Sequence, residues 1–139
     1  MVHTIEFQKR GLPHMHLLIF LDPEDKIRNA EDVDSIVSAQ LPDPETQPIL
    51  FETIANCMVH GPCGAEVPRA KCMVDGKCSK RYPREFRENT LFGEDGYPLY
   101  AHPDNGRTVV KNRHTYDNRD VVPYNPDLSA RWVLSDQIV

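Results

Sequence analysis

The stretch Ile5-Glu6-Phe7-Gln8-Lys9-Arg10-Gly11-Leu12-Pro13-His14-Met15-His16 decides how this chain is read. Thr4 to Phe7 alternates polar and apolar side chains, Gln8 to Gly11 supplies a turn, and Leu12 to Leu21 resumes as a strand. The pattern predicts a β-hairpin, ended by Asp22-Pro23. Within it, Leu17-Leu18-Ile19-Phe20-Leu21 has the texture of a central, buried strand. Strand positions two apart share a face, so His14 and His16 are expected side by side, with Met15 turned into the core. A turn centred near Arg10 puts Glu6 across from His14, with Cβ atoms about 5 Å apart. Glu6, His14 and His16 then make a two-histidine, one-carboxylate face with positions left open for water or a phosphate oxygen. Such a face suits Mg²⁺, Mn²⁺ or a transition metal. Lys9 and Arg10 add positive charge at the tip. The plainer alternative is a pair of surface histidines, with Glu6 an exposed carboxylate pairing with Lys9.

Beyond the hairpin, Val33, Ile36, Val37 and Leu41 form one stripe at helical spacing, predicting a helix over Asn29 to Leu41 that Pro42 and Pro44 end. A second helix is expected from Pro48 to Met58, with Leu50 or Phe51, Ile54 and Met58 facing the core. After His60 the texture changes. Gly61-Pro62, Pro68, Gly76 and Pro83 break the chain, and all four cysteines lie between 57 and 78. The spacing His60-x2-Cys63-x8-Cys72-x5-Cys78 offers four zinc-type ligands in 19 residues. One histidine and three thiolates around zinc would organise a stretch that cannot build its own core. Free intracellular thiols and disulfides are the alternatives, the latter disfavoured because nothing signals an oxidising compartment. Cys57, three residues before His60, reads as a fifth candidate or a buried helix-end residue. Further on, 96–100, 108–110 and 121–124 read as short strands, separated by polar turns such as Asp104-Asn105-Gly106. From Leu128 the signals weaken.

At 139 residues and 40% apolar content the chain is one domain's worth, and twelve prolines against seven glycines favour short elements over a helical bundle. No apolar run is long enough to span a membrane, and no secretory leader is evident, so an intracellular location is expected. The net charge of −5 hides a division. From Asp22 to Glu52 nine acidic residues face only Lys26 and Arg28, a local net of −7. From Lys71 to Arg87 six basic residues face Asp75 and Glu85, a net of +4. One face could therefore meet phosphate while another repels it, or both could be ordinary solvated surface. Lys77, Lys80, Arg81 and Arg84 beside the cysteines, with Lys9 and Arg10, are the candidate contacts to a DNA backbone.

The segment 5–16 resembles the signature of the Helitron transposase Rep domain, an endonuclease of the HUH class in which two histidines flank a hydrophobic residue. The similarity continues in order through Asp32 to Gln40, Met58-Val59-His60-Gly61-Pro62-Cys63-Gly64, Cys72-Met73, Gly76-Lys77-Cys78-Ser79-Lys80 and Gly96-Tyr97-Pro98. It closes with Asp117-Asn118-Arg119 and Val121-Val122-Pro123-Tyr124-Asn125-Pro126. The resemblance implies an enzyme that nicks single-stranded DNA at transposon ends. A tyrosine hydroxyl attacks a metal-polarised phosphate, leaving a 5′-phosphotyrosine and a free 3′-hydroxyl. It implies His14 and His16 as metal ligands, Glu6 as the third, a helicase domain in the same polypeptide, and a nuclear location.

The sequence also departs from the family. The nucleophilic tyrosines there lie on a helix downstream of the Val-Val-Pro-Tyr-Asn-Pro segment, in a Tyr-x-x-Lys-Tyr-like motif absent here. Tyr82, Tyr97, Tyr100, Tyr116 and Tyr124 fall in loop-like or strand-like contexts, and none is assigned as nucleophile. Asp120 stands where the family usually has tryptophan. The expectation is an α+β domain over 1–128, with an antiparallel sheet carrying the HUH hairpin at its centre, flanking helices and a basic zinc-knuckle-like insertion over 57–87. A divergent tail follows over 129–139. It reads as a truncated copy that binds a divalent metal and single-stranded DNA without completing a nick. The alternative is a non-catalytic, zinc-stabilised DNA-binding or interaction remnant.

Overall fold

A computed structural model describes residues 1–7 and 13–136, with 13, 14 and 132–136 described by their backbone alone. Strands β1 (Val2–Phe7) and β2 (Pro13–Leu18) pair antiparallel, with Glu6 opposite His14 and Thr4 opposite His16. Helix α1 (Ala30–Asp34) starts on Asn29, whose side chain accepts from the Asp32 amide in a capping box. Helix α2 (Pro48–Cys57) opens on proline, at a position whose N–H has no intrahelical partner anyway. Three small hairpins follow: β3 (Met73–Val74) with β4 (Lys77–Cys78), β5 (Leu91–Phe92) with β6 (Pro98–Leu99), and β7 (Thr108–Lys111) with β8 (His114–Asp117). A 3-10 turn over Asn118–Asp120 and helix α3 (Pro126–Asp136) complete the described elements.

The class is α+β, with short antiparallel sheets and few helices. The single expected sheet is instead four separate two-stranded ladders among the described residues. The N-terminal hairpin therefore sits at the centre of nothing. Its apolar positions are open to solvent, Phe7 at 75% and Met15 at 57%, and the run Leu17 to Leu21 is exposed throughout. The expected burial of Met15 and of that run fails because no described element packs on the ladder. Near-continuous apolar patterning reports a strand that can be covered on both faces, not one that is.

Other differences have local causes. Helix α1 stops at Asp34, well short of Leu41, because Ser38 and Tyr124 exchange two backbone hydrogen bonds of 2.9 Å and pull that stretch into an extended bridge. Val33 and Leu41 still reach the core, while Ile36 stays exposed. Segment 121–124 forms isolated bridges rather than a strand. Helix α3, where the sequence signal is weak, is started by Asn125: its side chain accepts from the Leu128 amide at 2.8 Å, and Pro126 occupies the first turn.

The core gathers Leu41, Leu50, Ile54, Val121 and Tyr124, with Phe51, Met58, Val59, Val109 and Ala130 against it. Leu50 and Ile54, buried on α2 together with Ala55, each gain about 1.5–3 kcal/mol on leaving water. Asn118, 1% exposed, ties three loops to this core. Its Oδ1 accepts from the Leu41 amide at 2.7 Å, and its Nδ2 donates to the Pro103 carbonyl at 2.7 Å and to Asn105 Oδ1 at 2.9 Å. Its own carbonyl sits 2.8 Å from Nδ1 of the buried His102. Asn118→Ala strands the buried Leu41 amide at about 1–3 kcal/mol and the half-buried Pro103 carbonyl at less, so urea unfolding should show a loss of roughly 2–4 kcal/mol with an unchanged m-value. A loss under about 0.5 kcal/mol would contradict the role given to Asn118.

Burial lowers the proton affinity of His102, and the charges of Arg84 and Arg87 lower it further, against hydrogen bonds to the Asn118 and Ala39 backbone that raise it. The unfolded chain then binds the proton more readily than the folded one. Stability is complete above the ordinary imidazole value of about 6.5 and falls as pH drops below it. The urea midpoint should decline over that window, and less steeply in His102→Gln; an equal decline in that variant would assign the pH dependence elsewhere.

Candidate metal centre

From Asn56 to Asn89 no residue is buried, so this part of the fold has no apolar core of its own. The same segment brings four ligand atoms to one point. His60, Cys63, Cys72 and Cys78 each offer an atom, all within 4.8 Å of one another, and Cys78 Sγ lies 3.3 Å from His60 Nε2. Tetrahedral zinc, with Zn–S about 2.3 Å and Zn–N about 2.0 Å, requires ligand atoms roughly 3.3–3.8 Å apart. The group could hold a metal ion, and its donor set is the one zinc takes in structural sites.

Local structure explains the convergence. Asp75 (φ 50°) and Gly76 (φ 75°) make the two-residue turn of the β3–β4 hairpin, which pairs Met73 with Cys78 and so returns Cys78 to the neighbourhood of Cys72. The Ser79 amide donates to the Cys72 carbonyl at 2.7 Å and closes the loop. His60 arrives from the other side, leaving the end of α2 with its amide donating to the Asp120 carbonyl at 2.8 Å, next to the Val59–Val121 bridge. Gly61 makes the turn to Cys63 at φ 133°, and a Cβ there would lie 2.8 Å from the Tyr116 ring. Only glycine passes over that ring.

The electrostatics favour a cation. Burial first, then the Cys72 and Cys78 sulfurs, push the Cys63 thiol up to about 12. Burial also opposes ionisation of Cys78, but hydrogen bonds from the Tyr82 and Lys80 backbone and from the other thiols outweigh it, so Cys78 ionises more readily. Three thiolates this close repel one another unless a positive ion sits among them. His60 is held below its ordinary value by burial and by the charges of Arg84 and Lys80, which favours the neutral ring that ligates metal. Cys57 is exposed and outside the group.

Lys77, Lys80, Arg81 and Arg84 are all exposed along the chain that leaves the cluster. Two links that sequence reasoning missed fasten this basic segment to the ligands. The Tyr82 ring stacks on His60, centroids 4.4 Å apart, and the Arg84 guanidinium lies 4.6 Å over Tyr82. Their only sequence signal is an aromatic and an arginine on either side of Pro83. A second feature not anticipated is His114 Nδ1, 2.5 Å from Glu66 Oε2, in a polar cleft bordered by His60 and Cys63.

At the hairpin, Glu6 and His16 are exposed, and the register assigns positions 6, 14 and 16 to one face of the ladder. The side chain of His14, and all of Lys9 and Arg10, lie outside the described residues. Among the described residues the Cys/His cluster is the one grouping with metal-binding geometry, and the Mg or Mn site expected at the hairpin, which needs the His14 side chain, lies partly outside them. Tyr116 and Tyr124 are buried, and the Tyr124 hydroxyl donates to the Gln40 carbonyl at 2.9 Å. No described helix is long and apolar enough to cross a membrane. Neither protein-family models nor curated protein sequences give a match to this chain.

The purified chain should carry one zinc, measured by atomic emission, and Cys72→Ser should lose it. Ligation requires deprotonated sulfur, so acidification should release the metal as protons compete for the thiolates. Native protein whose four cysteines all react at once with a thiol reagent in the presence of zinc would contradict the site.

Proposed function

We propose that this chain is the metal-organised, single-stranded-DNA-binding part of a Helitron-type Rep protein of the HUH class. Zinc in the His60–Cys63–Cys72–Cys78 cluster holds the basic segment in shape, and Lys77, Lys80, Arg81 and Arg84 meet the phosphate backbone. Glu6, His14 and His16 bind Mg²⁺ or Mn²⁺, which acts as a Lewis acid on a phosphate, with Lys9 and Arg10 beside it. The partners are transposon-end DNA and a helicase domain of the same polypeptide, working in the nucleus. The observation that carries this reading is four ligand atoms gathered within 4.8 Å directly beside an exposed basic segment. The ordered run of motifs shared with the family and the Glu6–His14 register support it.

The second reading, a zinc-stabilised DNA-binding remnant without chemistry, is favoured by the tyrosines. Burial raises the pKa of both Tyr116 and Tyr124, which makes either phenol a poorer nucleophile. No cleavage is therefore expected of the chain alone, since water lacks the positional advantage of a held hydroxyl.

A labelled oligo(dT) should bind weakly, with affinity falling on a log–log salt plot by roughly 0.7 per phosphate contact. Calorimetry should detect weak Mn²⁺ binding that disappears in the His14→Ala, His16→Ala double variant while zinc content is unchanged. Salt-independent binding would remove the DNA reading, and unaltered Mn²⁺ affinity the hairpin site. A denaturant-resistant DNA adduct lost in Tyr116→Phe or Tyr124→Phe would show that the chain is a nicking enzyme.

A further inference from the structure

A cleft of about 440 Å³ opens where the basic segment meets β6 and the Tyr100–His102 stretch. Arg81, Arg84 and Arg87 line it together with Tyr100 and Pro123, and Glu85 is its one acid. Its volume is that of a small-ligand pocket rather than a flat charged surface.

Each arginine is held at its backbone or side chain. Arg81 sits in the left-handed region at φ 59°, sparsely populated for a residue with a Cβ, and its amide donates to the Cys78 carbonyl at 2.9 Å. Arg84 donates its amide to the Arg119 carbonyl at 2.9 Å and lays its guanidinium on Tyr82. Arg87 exchanges two backbone hydrogen bonds with His102, of 3.0 and 2.8 Å. None of the three is paired with a carboxylate among the described ion pairs. Three arginines, two anchored at the backbone and one with its guanidinium laid on Tyr82, around a concave, proline-walled floor with a tyrosine suit a nucleotide, whose phosphate and base need those two surfaces. A duplex is convex and keeps its bases stacked inside, so it cannot enter.

We propose that this cleft is a nucleotide subsite for single-stranded DNA, in which Arg81, Arg84 and Arg87 meet backbone phosphates and Tyr100 receives a base, and that the metal cluster sets it through the His60–Tyr82–Arg84 stack. The proposal rests on the DNA-binding reading above and adds to it Arg87, Tyr100 and the dependence on Tyr82. Tyr82 is a positioning residue: it touches a metal ligand on one face and a phosphate-binding cation on the other. A metal that fixes the His60 ring thereby fixes the Arg84 guanidinium.

Fluorescence anisotropy of labelled oligo(dT) on the zinc-loaded full chain tests this. Arg87→Gln should lower the salt slope by roughly 0.7, and Tyr100→Leu should weaken binding several-fold without changing that slope. Tyr82→Leu should keep its zinc yet bind several-fold more weakly. If Tyr82→Leu loses zinc, Arg84→Lys, which keeps the charge but not the planar stack, takes its place with the same expected loss. Wild-type affinity in Arg87→Gln and Tyr100→Leu, with weakened binding in Lys77→Gln, Lys80→Gln, would overturn the subsite and leave the DNA reading standing. No binding by the wild-type chain at low salt would remove both. Displacement of the strand by equimolar pyrophosphate would make the cleft a small-anion site and overturn the strand assignment. Unchanged affinity in the positioning variant would overturn the link to the metal.

Discussion

The stretch from Asn56 to Asn89 contains no buried residue, and it must nevertheless hold one shape. Backbone ordering costs about 1–2 kcal/mol per residue, and here only the partial burial of Met58 and Val59 against the core at its start offsets it. A metal ion held by His60, Cys63, Cys72 and Cys78, whose ligand atoms all lie within 4.8 Å of one another, would do what a core does elsewhere. It would crosslink the segment just after α2, the loop after Gly61, the residue that leads into β3 and the end of β4. The basic segment that follows is stacked on one of these four residues. The Tyr82 ring rests on His60, Arg84 rests on Tyr82, and the basic segment takes its course from there.

The rest of the molecule supplies the frame against which the cluster is set. The Val59–Val121 bridge and the His60–Asp120 hydrogen bond join the cluster to the apolar core through one end of the 3-10 turn. Asn118, at the other end of that turn, satisfies the Leu41 amide and the Pro103 carbonyl. Three residues thus connect metal ligand, core and the loop carrying His102. Arg119 between them pairs with Asp117 at 2.7 Å and lies over Phe86, which steadies the same turn against the basic segment.

The parts of the fold legible in the sequence were those set by local chemistry. Pro48 with Leu50 and Ile54 gave away α2, and the glutamate-to-histidine spacing of the first hairpin gave its register. The grouping of His60, Cys63, Cys72 and Cys78 was legible because few other roles gather one histidine and three cysteines in so proline-broken a stretch. Burial was not legible for the hairpin: Met15 and the run Leu17 to Leu21 read as core residues, but burial depends on a partner surface that no local pattern records. Helix α1 was overread for a related reason, since the stripe through Leu41 records helical spacing but not the Ser38–Tyr124 bridge that ends the helix early. The Tyr82 stack and the Arg87–His102 bridge join residues whose meeting is fixed only by the folded cluster. The Asp75-Gly76 turn that positions Cys78 was read only as a break at Gly76, although the dipeptide is one that two-residue hairpin turns favour.

The central claim is that a metal, not apolar packing, holds residues 57–87. Hydrogen–deuterium exchange on the zinc-loaded chain, before and after chelation, tests it most directly. Amides of 57–87 should be protected with zinc and exchange freely once it is removed, while those of α2 around Ile54 keep their protection. Equal protection of 57–87 in both states would show that the segment holds itself, and would contradict the claim.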